Sequence, residues 1–175
     1  MSYPHWQYFI AIESDLENTA RYVEIAQDNF HTYSIEYARI LLSASSEVDV
    51  ISKLLCQRIA PTGSYRIIDD YRVGIISMYT GFDSFEITVP RYGLVMKPWE
   101  AWGKGQNPSW WRSHNNIKHE RNLYFGEANL ENALNAVAGL FCLVLAYHHP
   151  DLWKMKPWPK LLEVEENMMV AKVFK

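Results

Sequence analysis

Cysteine is scarce in this chain: Cys56 and Cys142 are the only two in 175 residues. Both fall in apolar helical patterns. That excludes a disulfide framework and predicts reduced core thiols. The longest apolar run is AVAGLFCLVLAY, Ala136 to Tyr147. It is well short of the ~20 residues that span a bilayer. The opening MSYPHWQYF lacks the basic flank and apolar stretch of a secretory leader. These absences predict a soluble, cytoplasmic protein with no membrane partner. Repeats and low-complexity tracts are missing too. GKGQNPS, beginning at Gly103, lacks the spacing and lysine placement of a phosphate-binding loop, and Ser43, Ser45 and Ser46 lie outside any G-x-S-x-G context.

What is present suits one globular domain. Hydrophobic residues make up 49% and charged residues 21%, and a chain of this length can bury a core without staples. Apolar positions from about His5 to Gln27 predict an amphipathic helix. A second helix is predicted from Ser34, a good N-cap, to about Arg58, stopped by Pro61 and Gly63. Glu47 and Asp49 within it read as solvated surface. A shorter helix is predicted over Tyr65–Tyr79. Two β-favouring runs, Phe85–Val89 and Leu94–Lys97, flank the turn-like tetrad Pro90-Arg91-Tyr92-Gly93 and predict a hairpin. The Pro/Gly/Trp-rich stretch after it predicts an ordered loop whose tryptophans pin it to the core. Helices are then predicted from Ser109 and from Asn129 to His148. The last is apolar on every side, as in the middle of a bundle. Trp153 and Trp158 follow, with a weak strand or helix signal in MMVAKVF. The fold class is therefore mainly α, a helical bundle with a small β-hairpin insertion; the hairpin and Trp-rich loop occupy about 82–109.

Net charge is −3, which argues against broad nucleic-acid binding. Its distribution is uneven. From Arg91 to Arg121 six bases stand against two acids, a net +4 that leaves −7 to the rest. A basic island of this kind can hold an anion. Its densest part is SWWRSHNNIKHERN, Ser109 to Asn122. On a continuous helix, seven residues return His119 to within ~20° of Arg112, with Asn116 ~40° and Asn115 ~60° away. Arg112, Asn115, Asn116 and His119 thus share a face, His114 and Arg121 point the opposite way, and Lys118 lies nearer their side. His114 and His119 are nearly opposed, so the pair lacks the geometry of a metal site. No metal or other cofactor is expected. The shared face offers a permanent cation, two amides and an imidazole, groups suited to holding a phosphate and moving a proton beside it. A polar face capping the loop above it is the other reading of the same spacing.

The Arg-x6-His string RSHNNIKH, followed by a long apolar helix, resembles the HEPN superfamily of all-α nucleotide-binding domains. The Asn-x-x-Lys-His core (Asn115, Lys118, His119) looks like that of a bacterial HEPN-like group. The resemblance spans mainly Trp110 to Tyr147. It implies a metal-independent endoribonuclease of a toxin–antitoxin or phage-defence system. His119 would take a proton from a ribose 2′-hydroxyl and Arg112 would stabilise charge on the phosphate. Asn115, Asn116 and Lys118 would bind the substrate. It further implies a homodimer with two motifs facing each other, RNA or a nucleotide as ligand, and an antitoxin protein as a partner. One departure is Ser113, which follows Arg112 where the family usually has Asn, Asp or His. Some members have lost catalysis, so two alternatives stay open: a catalytically inactive nucleotide-, RNA- or protein-binding module, and a structural, dimerising helical protein.

Overall fold

The computed structural model describes residues 3–164. Its elements are α1 (Pro4–Thr19), α2 (Ile35–Ile59), α3 (Ile68–Met78), β1 (Ile87–Val89), β2 (Leu94–Met96), α4 (Glu100–Gly103), α5 (Ser109–Tyr124) and α6 (Leu130–His148). The protein is mainly helical with a small antiparallel hairpin, as the periodicities predict. MMVAKVF lies outside the described residues.

Helix α6 organises the bundle. Every residue from Ala136 to Ala146 is buried, and α1, α2 and α5 all pack on it. By length and composition α6 would also pass for a membrane span, but its side chains are enclosed by protein. The Asn129 side chain accepts a hydrogen bond from the backbone N–H of Asn132 at 3.0 Å and fixes where α6 starts. Ser34 does the same for α2, accepting from Tyr37 at 3.0 Å. The buried stripe of α2, Leu41, Ala44, Val48, Ile51 and Leu55, keeps a three-and-four spacing and faces α6. From α1, Phe9 stacks on Phe141 with ring centroids 4.8 Å apart.

Three helix ends depart from the periodicity. α1 stops at Thr19, well before Gln27, because the chain must reverse to lay α2 against it. The Thr19 hydroxyl donates to the carbonyl of Leu16 at 2.7 Å, and Ile25 enters the core within the reversal. α3 begins at Ile68, three residues later than Tyr65. The Asp70 carboxylate accepts from the backbone N–H groups of Arg66 and Ile67, at 2.8 and 3.1 Å, and sets the start there. Ser109 is the first helical residue of α5, with Pro108 in the cap position. Cys56 and Cys142 are free, buried thiols.

The hairpin pairs Ile87 with Met96, Thr88 with Val95 and Val89 with Leu94. Its turn is closed by Gly93 at φ 63°, a conformation glycine adopts without a Cβ penalty. A third rung comes from far along the chain: Thr88 and Glu163 exchange backbone hydrogen bonds at 2.9 and 3.0 Å. The same C-terminal segment is tied to α1. The Trp6 indole donates to the carbonyl of Pro157 at 2.9 Å. The buried carboxylate of Glu13 accepts from the backbone N–H groups of Lys160, Leu161 and Leu162. Burial nonetheless pushes the Glu13 carboxyl above its ordinary range, against those three donors.

The Trp-rich stretch contains a helical turn, α4, within the predicted loop. Trp99, Trp102, Trp110 and Trp111 are all buried. Trp99 donates to the carbonyl of Gly139 at 3.1 Å, and Trp110 to that of Pro98 at 2.9 Å. Gly139 lets these indoles reach the backbone of α6. A Cβ there would stand 3.0 Å from Trp110 and 3.4 Å from Trp99. Gly139→Val should therefore destabilise the protein by about 1–3 kcal/mol through overpacking. Gly126→Ala is the control: nothing lies within 4 Å of its added Cβ. Urea denaturation of both variants checks this, with Gly126→Ala expected within about 0.5 kcal/mol of wild type.

Candidate functional site

Helix α5 is half core and half surface. Trp110, Ser113, His114 and Ile117 are buried at three-and-four spacing. Arg112, Asn115, Lys118 and His119 are exposed, and Asn116 is half-buried. Backbone angles stay helical through His119. At Glu120 they leave the helical region, φ −139° and ψ 44°. A straight helix gives Arg121 a position opposite Arg112, between the faces of Ile117 and Lys118. Arg121 lines a groove together with His119, Lys118 and Asn122.

That groove, of about 840 Å³, runs between α2 and the end of α5. Its apolar wall is Ile35, Ala38, Leu42, Ile117 and Phe125, and its polar rim carries Lys118, His119, Arg121 and Asn122. A second cavity, of about 520 Å³, opens on the other side of Lys118. Ser45, Ser46 and Asp49 of α2, Arg66 and Ile67 before α3, and Trp111, His114, Asn115 and Lys118 of α5 line it. Leu42 and Lys118 belong to both.

The predicted site residues thus divide. His119 and Lys118 meet in the groove. Asn115 joins Lys118 in the second cavity. Asn116 is engaged inside the chain, its amide donating to the Glu127 carboxylate at 3.0 and 3.3 Å. Arg112 is exposed and lines neither cavity, two helical turns or ~10.5 Å along the axis from His119. His114 does point away from the shared face, into the protein. Its ring lies against Trp111, centroids 5.0 Å apart, and its Nδ1 is enclosed without a hydrogen-bond partner.

Three residues escaped the sequence reading. Arg121 lines the groove beside Ile117 and Lys118, on the face opposite Arg112. Arg66 comes from a different element. Asp49 reads as solvated surface, yet its carboxylate accepts from the Tyr71 hydroxyl at 2.8 Å and from Lys53 at 3.1 Å, beside the second cavity. The nearest sequence signal, the excess of bases from Arg91 to Arg121, covers only Arg121 of the three.

The three cations of α5, Arg112, Lys118 and Arg121, form no ion pair among the described residues. Elsewhere Arg39, Lys53, Arg72, Lys97, Lys104 and Lys154 pair with carboxylates, whereas Arg21, Arg58, Arg66, Arg91, Lys156 and Lys160 form no ion pair among the described residues either. Positive potential on α5 is therefore left uncompensated at short range, as an anion site requires. Comparison with protein-family models, curated proteins and solved structures finds no match.

Burial, reinforced by the charge of Lys118, holds the His114 imidazole down to about pKa 4. It is neutral in the fold at pH 7, whereas an unfolded chain protonates it near pH 6.5. The folded pKa is depressed, so this contribution to stability is full above about pH 7 and is lost as pH falls from 6.5 toward 4. His148, also pushed to about 4 by burial, adds in the same direction, and Glu13 opposes. A comparison with His114→Phe isolates the first. Wild type should lose more stability than the variant between pH 7 and pH 5, on the order of 1 kcal/mol, in urea melts at each pH.

Proposed function

We propose that the protein is an HEPN-like, metal-independent endoribonuclease whose RNA site lies along α5. The observation that carries this reading is the groove in which two unpaired cations, Lys118 and Arg121, stand with the exposed imidazole of His119, while Arg112 is unpaired farther along the helix. The groove's apolar wall and cationic rim suit a single strand, with phosphates on the rim and sugars or bases against the wall. His119 would take the proton of a ribose 2′-hydroxyl. That oxygen attacks the neighbouring phosphorus, and the bond to the 5′ oxygen breaks. The 5′ oxygen takes a proton from water, leaving a 2′,3′-cyclic phosphate and a 5′-hydroxyl end. Arg121 and Lys118 stabilise the charge that builds on the phosphate oxygens. Arg112 is too far along the helix to join them on the same phosphate within one chain. In a homodimer it would serve the His119 of the other copy across a two-fold axis. The biological setting we propose is growth control or phage defence, with an antitoxin protein as the restraining partner.

A second reading has an observation of its own. Because Arg112 lines neither cavity, a single chain holds an RNA- or nucleotide-binding surface without the full Arg–His pair, which suits a binding module that does not cleave.

Purified wild type and His119→Ala, incubated with RNA and followed by end analysis, separate the two. Cleavage by wild type should fall at least about 100-fold in His119→Ala, the usual weight of a general base. It should also fall in Arg112→Lys, which keeps charge but loses the two-pronged contact with phosphate. Chelator should leave the rate unchanged. His31→Ala, at an exposed position that lines neither cavity, is the control; His114→Ala is unsuitable because His114 is packed in the core. RNA binding without cleavage by wild type would select the binding module. Cleavage that persists in His119→Ala would sink the assignment.

A further inference from the structure

We propose that the second cavity, between α2, the start of α3 and α5, holds a backbone phosphate of the bound strand other than the one cleaved, and that Arg66 is the residue that positions it. The inference rests on the RNA reading and adds how far along the strand the protein grips.

Three parts of the chain bring hydrogen-bond donors to this cavity. Arg66 comes from the turn before α3, Asn115 and Lys118 from α5, and Ser46 from α2, and all four are exposed. Arg66 and Lys118 form no ion pair among the described residues. Together the four offer a guanidinium fork, an ammonium, an amide and a hydroxyl. A ligand suited to that set carries negative charge and accepts several hydrogen bonds, as a phosphate does.

The acids nearby are already engaged. Asp49 lines the cavity, but its carboxylate accepts from the Tyr71 hydroxyl at 2.8 Å and from Lys53 at 3.1 Å. The charge of Arg66 acts on Asp70, whose carboxylate is bonded to the backbone N–H groups of Arg66 and Ile67, at 2.8 and 3.1 Å. Those two bonds fix the backbone from which the Arg66 side chain extends.

Position supplies the link to the groove. Lys118 and Leu42 border both spaces, so a strand whose reacting phosphate lies at His119 reaches Arg66 by passing Lys118. A strand carries a phosphate at every nucleotide and can fill both spaces at once, which a nucleoside monophosphate cannot.

The test uses the non-cleaving His119→Ala protein and fluorescence polarisation over a range of salt. The probe is a dye-labelled oligouridylate of about twelve nucleotides, within the usual span of a single-strand site. A matching set carries one neutral methylphosphonate linkage at each position in turn. Adding Arg66→Ala should weaken binding of the unmodified strand by about tenfold, the weight of hydrogen bonds to a charged group. It should also lower the slope of log affinity against log salt by about 0.7, one phosphate contact to a single strand. Arg66→Lys should recover the slope and only part of the affinity. Arg91→Ala, an exposed cation that lines neither cavity, is the control for lost charge. One methylphosphonate position should weaken binding to the Arg66 protein and have no further effect once Arg66 is alanine. Arg66 is exposed, so its variants should fold, and Asn115→Ala should dull the same position independently. An Arg66→Ala loss no larger than that of Arg91→Ala, or a methylphosphonate pattern unchanged by both Arg66→Ala and Asn115→Ala, overturns the phosphate site and leaves the RNA reading in place. Failure of every strand to bind overturns both.

Discussion

Helix α6 sets the terms for the rest of the molecule. A helix that is apolar around its whole circumference must be covered on every side, since each exposed leucine or phenylalanine forgoes roughly 1.5–3 kcal/mol of burial. α1, α2 and α5 supply that cover, and the tryptophans around α4 close the remaining side over Gly139. The C-terminal segment completes the enclosure indirectly, by holding α1 and the hairpin through Glu13 and Thr88. The position of α5 is therefore a consequence of core formation. Its inner residues are there to cover α6, and its outer residues are placed wherever that packing turns them.

This division explains the two histidines of the motif. His114 lies on the core side, against Trp111, buried and neutral. His119, five residues on, is exposed beside the groove. The same helix thus carries one imidazole fixed by packing and one open to a ligand, and the rotation between them follows from the helical period alone.

The end of α5 follows a different constraint. The connection to α6 is tied to the segment before α2: the N–H of Ser34 bonds the carbonyl of Ala128, and the N–H groups of Leu130 and Glu131 bond the carbonyls of Thr32 and Phe30. Asn116 and Glu127 add a side-chain tether across the same turn. α5 departs from helical geometry at Glu120, shortly before these anchored segments.

Local chemistry determined much of this protein directly from its sequence. The caps at Ser34 and Asn129, the apolar stripes of α2 and α6, the hairpin about Pro90–Gly93 and the inward packing of the tryptophans depend on interactions a few residues long, or on the need to bury what is apolar. The shared orientation of Arg112 and His119, opposite to His114, depends only on helical period. Tertiary structure decided the rest. Glu13 is one more polar residue on an amphipathic helix until three backbone N–H groups from Lys160 to Leu162 arrive to meet it. Ser45, Asp49 and Arg66 become neighbours of Asn115 only once α2, α3 and α5 pack together. Arg121 and His119 meet Ile35, Ala38 and Leu42 across one groove only once α2 and α5 pack together. Such pairings carry no local signature, because their free energy is gained between segments that meet only when the core has formed.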